Sequence, residues 1–349
     1  MLPTIFSVSE YWWFYLSFIA FIGVFLLIDL GIFNRTAHAV SIKESLLWSL
    51  VWVCLAIAFN VFFYFFAQEK SINWFMEHSS FIPKGMTAST AGTELGKNFG
   101  LEFFTGYIIE KVLAVDNIFV FVMIFKFFST PLKFQHKILY WGILGALFFR
   151  AIFISIGSAL MKYEWAIIVF GSFLILTGVK MIFSKESEIE PNKNILIRML
   201  HKTGRVSNKN YDEIQGQFFI KENGKIYITV LFLTLVAIEF SDIVFAIDSV
   251  PAIFAITTEP LIVFTSNIFA ILGLRSLYFT LANMVDKFEY LKYGISVILV
   301  FVGIKMVWLN HVFNGKFPIS ISLAFIFVVL FLCILMSFIK NRKNNSHSS

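Results

Sequence analysis

The chain has 349 residues, of which 58% are hydrophobic and only 14% are charged, and its mean hydropathy is +0.80. This apolar excess is larger than a soluble core needs and predicts a polytopic membrane protein. The net charge of +6 comes mostly from Lys and Arg between hydrophobic segments, which indicates topology signals and no nucleic-acid partner. Two cysteines inside apolar runs and scattered histidines provide neither a disulfide framework nor a zinc-enzyme motif.

Hydrophobic windows of about 20 residues predict an all-α fold with nine transmembrane helices, in a single transmembrane domain from residue 11 to 340. The predicted spans are 11–33, 44–67, 101–128, 137–160, 165–183, 227–254, 261–284, 291–309 and 318–339. Residues 184–225 form a predicted polar cytoplasmic loop, and the tail 341–349 is predicted to be disordered.

Basic residues are unequally divided between the two sides of these spans. With the N-terminus outside and the C-terminus inside, the cytoplasmic connections hold eighteen Lys and Arg and the opposite side holds five. Because basic loops stay in the cytoplasm, the sequence predicts a multi-pass protein with its N-terminus outside and its C-terminus inside.

An internal repeat relates two thirds of the spans. The segment "EKVLAVDN" at 110–117 matches "DIVFAIDS" at 242–249 in the position of its acids. Downstream of each, an Arg is followed by Gly, Lys and Met at identical offsets: Arg150, Gly178, Lys180 and Met181, and Arg275, Gly303, Lys305 and Met306. Each unit contains three spans, about 101–183 and 227–309, so successive units have opposite orientations. The sequence therefore predicts two inverted three-helix repeats, the plan of many secondary transporters.

Five carboxylates fall inside these spans, where each ionised group costs about 2.5–3.5 kcal/mol. Arg150 and Arg275 are possible counter-ions, but they leave a deficit of positive charge. A divalent cation together with protons would neutralise it; the alternative is that the acids are structural. With a neighbouring amide and hydroxyl, the predicted metal site comprises Glu110, Asp116, Asn117, Glu239, Asp242, Asp248 and Ser249. Oxygen ligands favour Mn²⁺, Mg²⁺ or Ca²⁺, and the sequence does not choose among them.

Helical geometry adds further expectations about the second repeat. Glu239 and Asp242 share a helix face, whereas Asp248 does not. A kink at Pro251 is expected to turn Asp248 inward and to free the carbonyl of Ile247. Gly106 is a weak candidate for a matching break in the first repeat.

Several other charged residues have less decisive positions. Asp29 is equally compatible with an interfacial position and with the site, and Glu102 is expected at the outer interface. Lys180 and Lys305 lie near span ends, where we expect their side chains to snorkel towards water.

Seven segments between about residues 25 and 309 form a recognisable set. They are "DLGIFNRTAHAVSIKESLLWS", "GYIIEKVLAVDNIFVFVMIF", "WGILGALFFRAIFI", "TGVKMIF", "EFSDIVFAIDSVPAIFAITTEP", "TSNIFAILGLRSLYF" and "KYGISVILVFVGIKM". Together they resemble the TerC family of bacterial inner-membrane proteins, in particular its Alx-like branch. The chain departs from the family pattern at Ala114 and Phe240, which stand beside the acids where Ser and Thr are expected. The resemblance implies a lysine-exporter-like inverted-repeat transporter, and Mn²⁺ efflux or tellurite resistance as the associated function, with the seven site residues lining the path.

The sequence thus predicts an inner-membrane exporter of Mn²⁺ or a similar divalent ion, working by alternating access with proton exchange. Its partners would be the ion, protons and lipid, with no resident cofactor. The alternative is a membrane scaffold in a metal or tellurite stress complex, with the 184–225 loop as its docking surface. An enzyme is not expected, because Ser241 and Ser249 have no His or Lys nearby in sequence.

Overall fold

The computed structural model describes residues 4–33, 42–161, 163–183, 205–207, 209, 211–222, 224–282, 290–313 and 317–347. Long helices dominate this part of the chain, and eight of them are long and apolar enough to cross a membrane. The helix that carries Glu110 is a ninth of sufficient length, with more ionisable residues. The protein is therefore an all-α polytopic membrane protein, as predicted.

The helices follow one another in the order α1 (Val8–Phe33), α2 (Ile42–Glu77), α3 (Ala88–Phe127), α4 (Leu132–Leu160), α5 (Glu164–Phe183), α6 (Tyr211–Ile214), α7 (Val230–Phe254), α8 (Pro260–Leu272), α9 (Leu274–Leu281), α10 (Leu291–Ile304), α11 (Asn310–Val312) and α12 (Ile319–His347). A short 3₁₀ turn covers Ser79–Phe81, and a π-helical turn at Lys305–Leu309 joins α10 to α11. Strands β1 (Phe219–Glu222) and β2 (Lys225–Ile228) form an antiparallel hairpin.

Helices α2 and α3 are longer than their hydropathy predicts. They contain 36 and 40 residues, or about 54 and 60 Å, against about 30 Å of hydrocarbon. Their polar ends pack together closely, because Gly92 and Gly96 bring α3 against the backbone of α2 at Ile72 and Gln68. Hydropathy detects only the apolar part of each helix, so the predicted boundaries 44–67 and 101–128 omitted these extensions.

One expected irregularity is absent from the described helices, and another occurs where none was predicted. Helix α7 continues through Pro251 to Phe254, and α3 continues through Gly106. The Gly106 break is therefore wrong, and Gly106 instead gives α3 close contact with Ser266. The bend at Pro251 stays a prediction. The predicted span 261–284 divides at Gly273 into α8 and α9.

The three helices of each predicted repeat contact one another in an exchangeable pattern. Helix α3 packs on α8, α4 on α7, and α5 on α10. Exchanging the two units turns the α3–α8 pair into the α4–α7 pair and maps the α5–α10 pair onto itself, which is what a two-fold relation requires. The α5–α10 contact is tight, since a Cβ at Gly303 would lie 2.6 Å from the Gly171 carbonyl oxygen. The inverted orientation itself stays a prediction.

The described part of the 184–225 segment is docked against the ends of the helices. The Tyr211 hydroxyl donates to the Phe128 carbonyl (2.7 Å), and Lys137 Nζ donates to the Gly216 carbonyl (2.8 Å). Burial raises the pKa of Tyr211, so its hydroxyl remains a neutral donor. This segment is thus an ordered hairpin over the start of α4.

The predicted disordered tail also differs, since α12 reaches His347. Extension of an existing helix adds one backbone hydrogen bond per residue.

Candidate functional site

The centre of the bundle contains an ion-paired cluster drawn from three helices. Arg150 of α4 and Glu110 of α3 are each 1% exposed, and Asp242 of α7 is 3% exposed. Arg150 Nη1 contacts Glu110 Oε1, while its Nη2 lies 3.6 Å from Asp242 Oδ1. One carboxylate from each predicted repeat therefore meets the same guanidinium, and Arg150 is a counter-ion at this site.

A fourth member of the cluster is Asn267 on α8, which the sequence reasoning missed. It is fully buried, and its Oδ1 accepts a hydrogen bond of 2.9 Å from Arg150 Nη1. The signal was a neutral amide within an apolar span, in the segment "TSN". A search restricted to ionisable residues and their immediate neighbours passes over such a position.

Glu239 approaches the same region from the side of α4. Two glycines, Gly142 and Gly145, leave room for it, and a Cβ at Gly145 would collide with all three atoms of its carboxylate group. Glu239 is partly exposed and its Oε2 has no hydrogen-bond partner. It lies one helical turn before Asp242 on α7, as their spacing predicted.

A cavity adjoins the cluster on one side. Arg275 lines it and lies in the first turn after the α8–α9 break, so the break brings a second buried guanidinium to the cavity that Asp242 also lines. The cavity is lined by Phe121, Leu139, Gly142, Ile143, Ala146, Ile238, Asp242, Leu274 and Arg275. Polar groups of both charges thus face an otherwise apolar space.

Polar atoms without hydrogen bonds are concentrated in this region. Glu110 Oε1 is occupied by Arg150. Among the described residues, the buried polar atoms without a hydrogen-bond partner include Glu110 Oε2, both carboxylate oxygens of Asp242, Glu239 Oε2, Ser249 Oγ, Arg150 Nε and Asn267 Nδ2. Buried polar groups in proteins are nearly always satisfied. The cluster therefore has free capacity to bind water, protons or a cation.

The structure brings together only part of the predicted metal site. Asn117 and Ser249 are buried on α3 and α7, respectively. The side chains of Asp116, Asp248 and Asp29 lie outside the described residues, although all three positions are helical. Within the described part of the chain, no group of three or more His, Cys, Asp or Glu residues is arranged to hold a metal ion.

Two charged residues expected at interfaces are buried instead. Glu102 is fully buried on α3 and accepts a short hydrogen bond of 2.5 Å from Thr257 Oγ1. Lys305 is 2% exposed in the π-helical turn after α10, whereas Lys180 is exposed. Both Glu102 and Lys305 lie near the ends of predicted spans, but neighbouring helices cover them there, so they are buried.

A further buried contact stabilises the α8–α9 break. Lys111, the residue after Glu110, donates from Nζ to the Ala270 carbonyl at 2.9 Å. This carbonyl belongs to the last turn of α8, where backbone oxygens lack intrahelical partners and cations are favoured. The Lys111 ammonium also lies against Gly273, where a Cβ would overlap with it.

Comparison with known proteins identifies similar membrane proteins. The family model for the integral membrane protein TerC family matches residues 95–345. An uncharacterized membrane protein of Myxococcus xanthus is 46% identical over 327 residues, 93% of this chain and 92% of that protein. The "Putative membrane-bound redox modulator Alx" of Escherichia coli K12 is 42% identical over 327 residues, with the same coverage. No solved structure matches the chain. On the family model and these near full-length similarities, the chain belongs to the TerC family of integral membrane proteins.

Proposed function

We propose that this protein exports a divalent cation, most specifically Mn²⁺, across the bacterial inner membrane by alternating access with proton exchange. The N-terminus would lie outside and the C-terminus inside, so that the docked hairpin faces the cytoplasm. The proposal is supported most by one observation. Glu110 and Asp242, from two repeats of the sequence, approach the same buried Arg150, and Glu110 Oε2 and both oxygens of Asp242 lack hydrogen-bond partners.

The chemistry of the available ligands supports a hard cation. The cluster offers the carboxylate oxygens of Glu110 and Asp242 and the amide oxygen of Asn267. Hard ions such as Mn²⁺, Mg²⁺ and Ca²⁺ prefer such ligands. The only two cysteines are Cys54 on α2 and Cys333 on α12. Cys333 packs on Gly294 of α10, and soft thiolate ligation has no support at the centre.

Charge balance supports proton exchange as the driving reaction. Glu110, Glu239 and Asp242 would carry three negative charges if ionised, against the positive charges of Arg150 and Arg275. Inside a membrane such an imbalance is costly, so the acids favour a bound cation or bound protons. Exchange of one for the other would couple metal export to proton entry.

The test is metal flux in proteoliposomes with an imposed pH gradient. Glu110→Gln and Asp242→Asn should each lower Mn²⁺ flux at least about a hundredfold, since removing one partner of a buried charged site costs about 3–5 kcal/mol. Asp116→Asn and Asp248→Asn should have the same effect. Glu94→Gln, an exposed acid on α3, is the matched control and should transport like the wild type.

Wild-type protein that moves no divalent ion in this assay would overturn the proposal. If such protein still conferred metal or tellurite resistance in cells, the membrane-scaffold alternative would be favoured.

A further inference from the structure

Arg150 occupies the place in which a cation would bridge the two central carboxylates. Its Nη1 contacts Glu110 and its Nη2 lies 3.6 Å from Asp242, so one guanidinium spans both helices. We propose that Arg150 is an internal competitor for the transported cation, which binds Glu110 and Asp242 only when Arg150 has moved aside. This inference rests on the proposed function and assigns Arg150 a positioning role in the transport cycle.

The two ligands exclude each other for reasons of space and charge. A divalent ion binds carboxylate oxygens at about 2.0–2.6 Å, and an ion between Glu110 and Asp242 would overlap with the guanidinium. Two like charges at such separation in a buried site also repel strongly. The carboxylates can therefore hold either Arg150 or the metal.

Asn267 helps to hold the guanidinium between the two carboxylates. Its Oδ1 accepts from Arg150 Nη1 at 2.9 Å, and the same Nη1 contacts Glu110, while Arg150 Nε has no hydrogen-bond partner. The guanidinium is thus held at one edge and incompletely held elsewhere. Movement away from Glu110 therefore also disturbs the hydrogen bond to Asn267, and it frees the carboxylate oxygens for metal.

Arg150 would also act on the return step of the transport cycle. After the cation leaves, the charges of Glu110 and Asp242 within the membrane are costly unless they are neutralised. Arg150 returns to them and replaces part of the lost positive charge, and the exchanged protons replace the rest. The same exchange lowers the apparent metal affinity, because only the fraction of protein with Arg150 displaced can bind.

The experiment measures Mn²⁺ binding by titration of the full-length protein in lipid nanodiscs, and Mn²⁺ flux in proteoliposomes. Arg150→Lys keeps the positive charge, but its single ammonium cannot span both carboxylates. We expect its Kd to fall about tenfold, and that of Arg150→Gln to fall up to about a hundredfold, as for a competent state populated at about 1–10%. Maximal flux should fall in both variants, because the Arg150 guanidinium is no longer there to displace the metal ion at release and to neutralise the carboxylates on the return step.

The Lys variant separates contact competition from a general electrostatic effect. If Arg150 acted only through its charge or as a structural counter-ion, Arg150→Lys would bind Mn²⁺ like the wild type or more weakly, and the inference would be overturned. Lys305→Gln is the matched control, because it removes another buried positive charge, in the π-helical turn after α10. The Kd of Lys305→Gln should equal the wild-type value. If it fell as far as the Kd of the Arg150 variants, competition by Arg150 would be contradicted.

A second variant covers the case in which the Arg150 variants do not fold. Asn267→Ala leaves Arg150 in place but removes its anchor, and we expect a several-fold lower Kd. An unchanged or higher Kd would contradict the inference. Wild-type protein that neither binds nor moves any divalent ion would instead refute the proposed function, so the two failures are distinguishable.

Discussion

At the scale of single residues, the close approach of Gly145 to Glu239 gives a direct test of the site. An alanine Cβ at position 145 would overlap with the Glu239 carboxylate and force that group to turn away. A shifted rotamer costs about 0.5–1.5 kcal/mol. We therefore expect Gly145→Ala to reduce Mn²⁺ flux about tenfold with a small change in the melting temperature of the purified protein.

Gly142 provides the matched control for this substitution, one turn earlier on the same helix. A Cβ there would lie 3.5 Å from Ile238 Cγ2 and 3.9 Å from Glu239 Oε1, which are ordinary van der Waals contacts. Gly142→Ala should transport at the wild-type rate. Equal flux in the two variants would show that the position of Glu239 is unimportant for transport.

At the scale of secondary-structure elements, the α8–α9 break depends on a contact that Gly273 permits. Its φ of −82° is open to any residue, so an alanine there changes the contact with Lys111 and leaves the backbone unstrained. Gly273→Ala should displace the Lys111 ammonium from the Ala270 carbonyl and lower the free energy of unfolding by about 1 kcal/mol. The measurement is unfolding in detergent followed by tryptophan fluorescence.

A double-mutant cycle checks the cause of that loss. If Gly273→Ala acts through Lys111, the effects of Gly273→Ala and Lys111→Met should be strongly non-additive. If the losses of unfolding free energy in the two variants were additive, Gly273→Ala would act through a contact other than that with Lys111. Gly23→Ala on α1, where a Cβ meets nothing within 4 Å, should not lower stability, since alanine favours a helix more than glycine does.

These elements also show how much of the structure the sequence could predict. Hydropathy located all nine spans, because twenty apolar residues leave few alternatives to a membrane helix. Averaging over twenty residues also concealed the α8–α9 break, because a single glycine hardly alters the mean hydropathy of such a window. The repeat and the charge count identified Glu110, Asp242 and Arg150, but Asn267 joined them through tertiary packing that no local pattern encodes. The fate of Asp116 and Asp248 stays a prediction.

At the scale of the whole molecule, the two ends of the bundle differ. At one end, both oxygens of the buried Glu259 carboxylate accept hydrogen bonds from the backbone, namely from Ile5 N (2.9 Å) and Phe6 N (3.1 Å). The Thr257–Glu102 hydrogen bond lies beside them. At the other end, the cavity is lined by residues between the cluster and the docked hairpin, for example Phe121, Leu139 and Ile238. Because buried hydrogen bonds fasten the side of the N-terminal segment, we expect that end to be closed.

This asymmetry predicts one-sided access to the cavity, which cysteine labelling measures. In a Cys54→Ser, Cys333→Ser background, we expect Leu139→Cys to react with a membrane-impermeant maleimide from the hairpin side alone. Ile253→Cys is equally buried but lies near the opposite end of α7, and it should react from neither side. Two exposed positions serve as markers of sidedness: Glu213→Cys in the hairpin segment and Glu94→Cys near the start of α3. Labelling of one or the other shows which side of the protein faces outward in each vesicle preparation. Because these markers fix sidedness internally, the result holds whichever way the chain is inserted. Reaction of Leu139→Cys from the side that Glu94→Cys marks would contradict the expectation that this end is closed. Labelling of Glu213→Cys from the cytoplasmic face would confirm the predicted orientation.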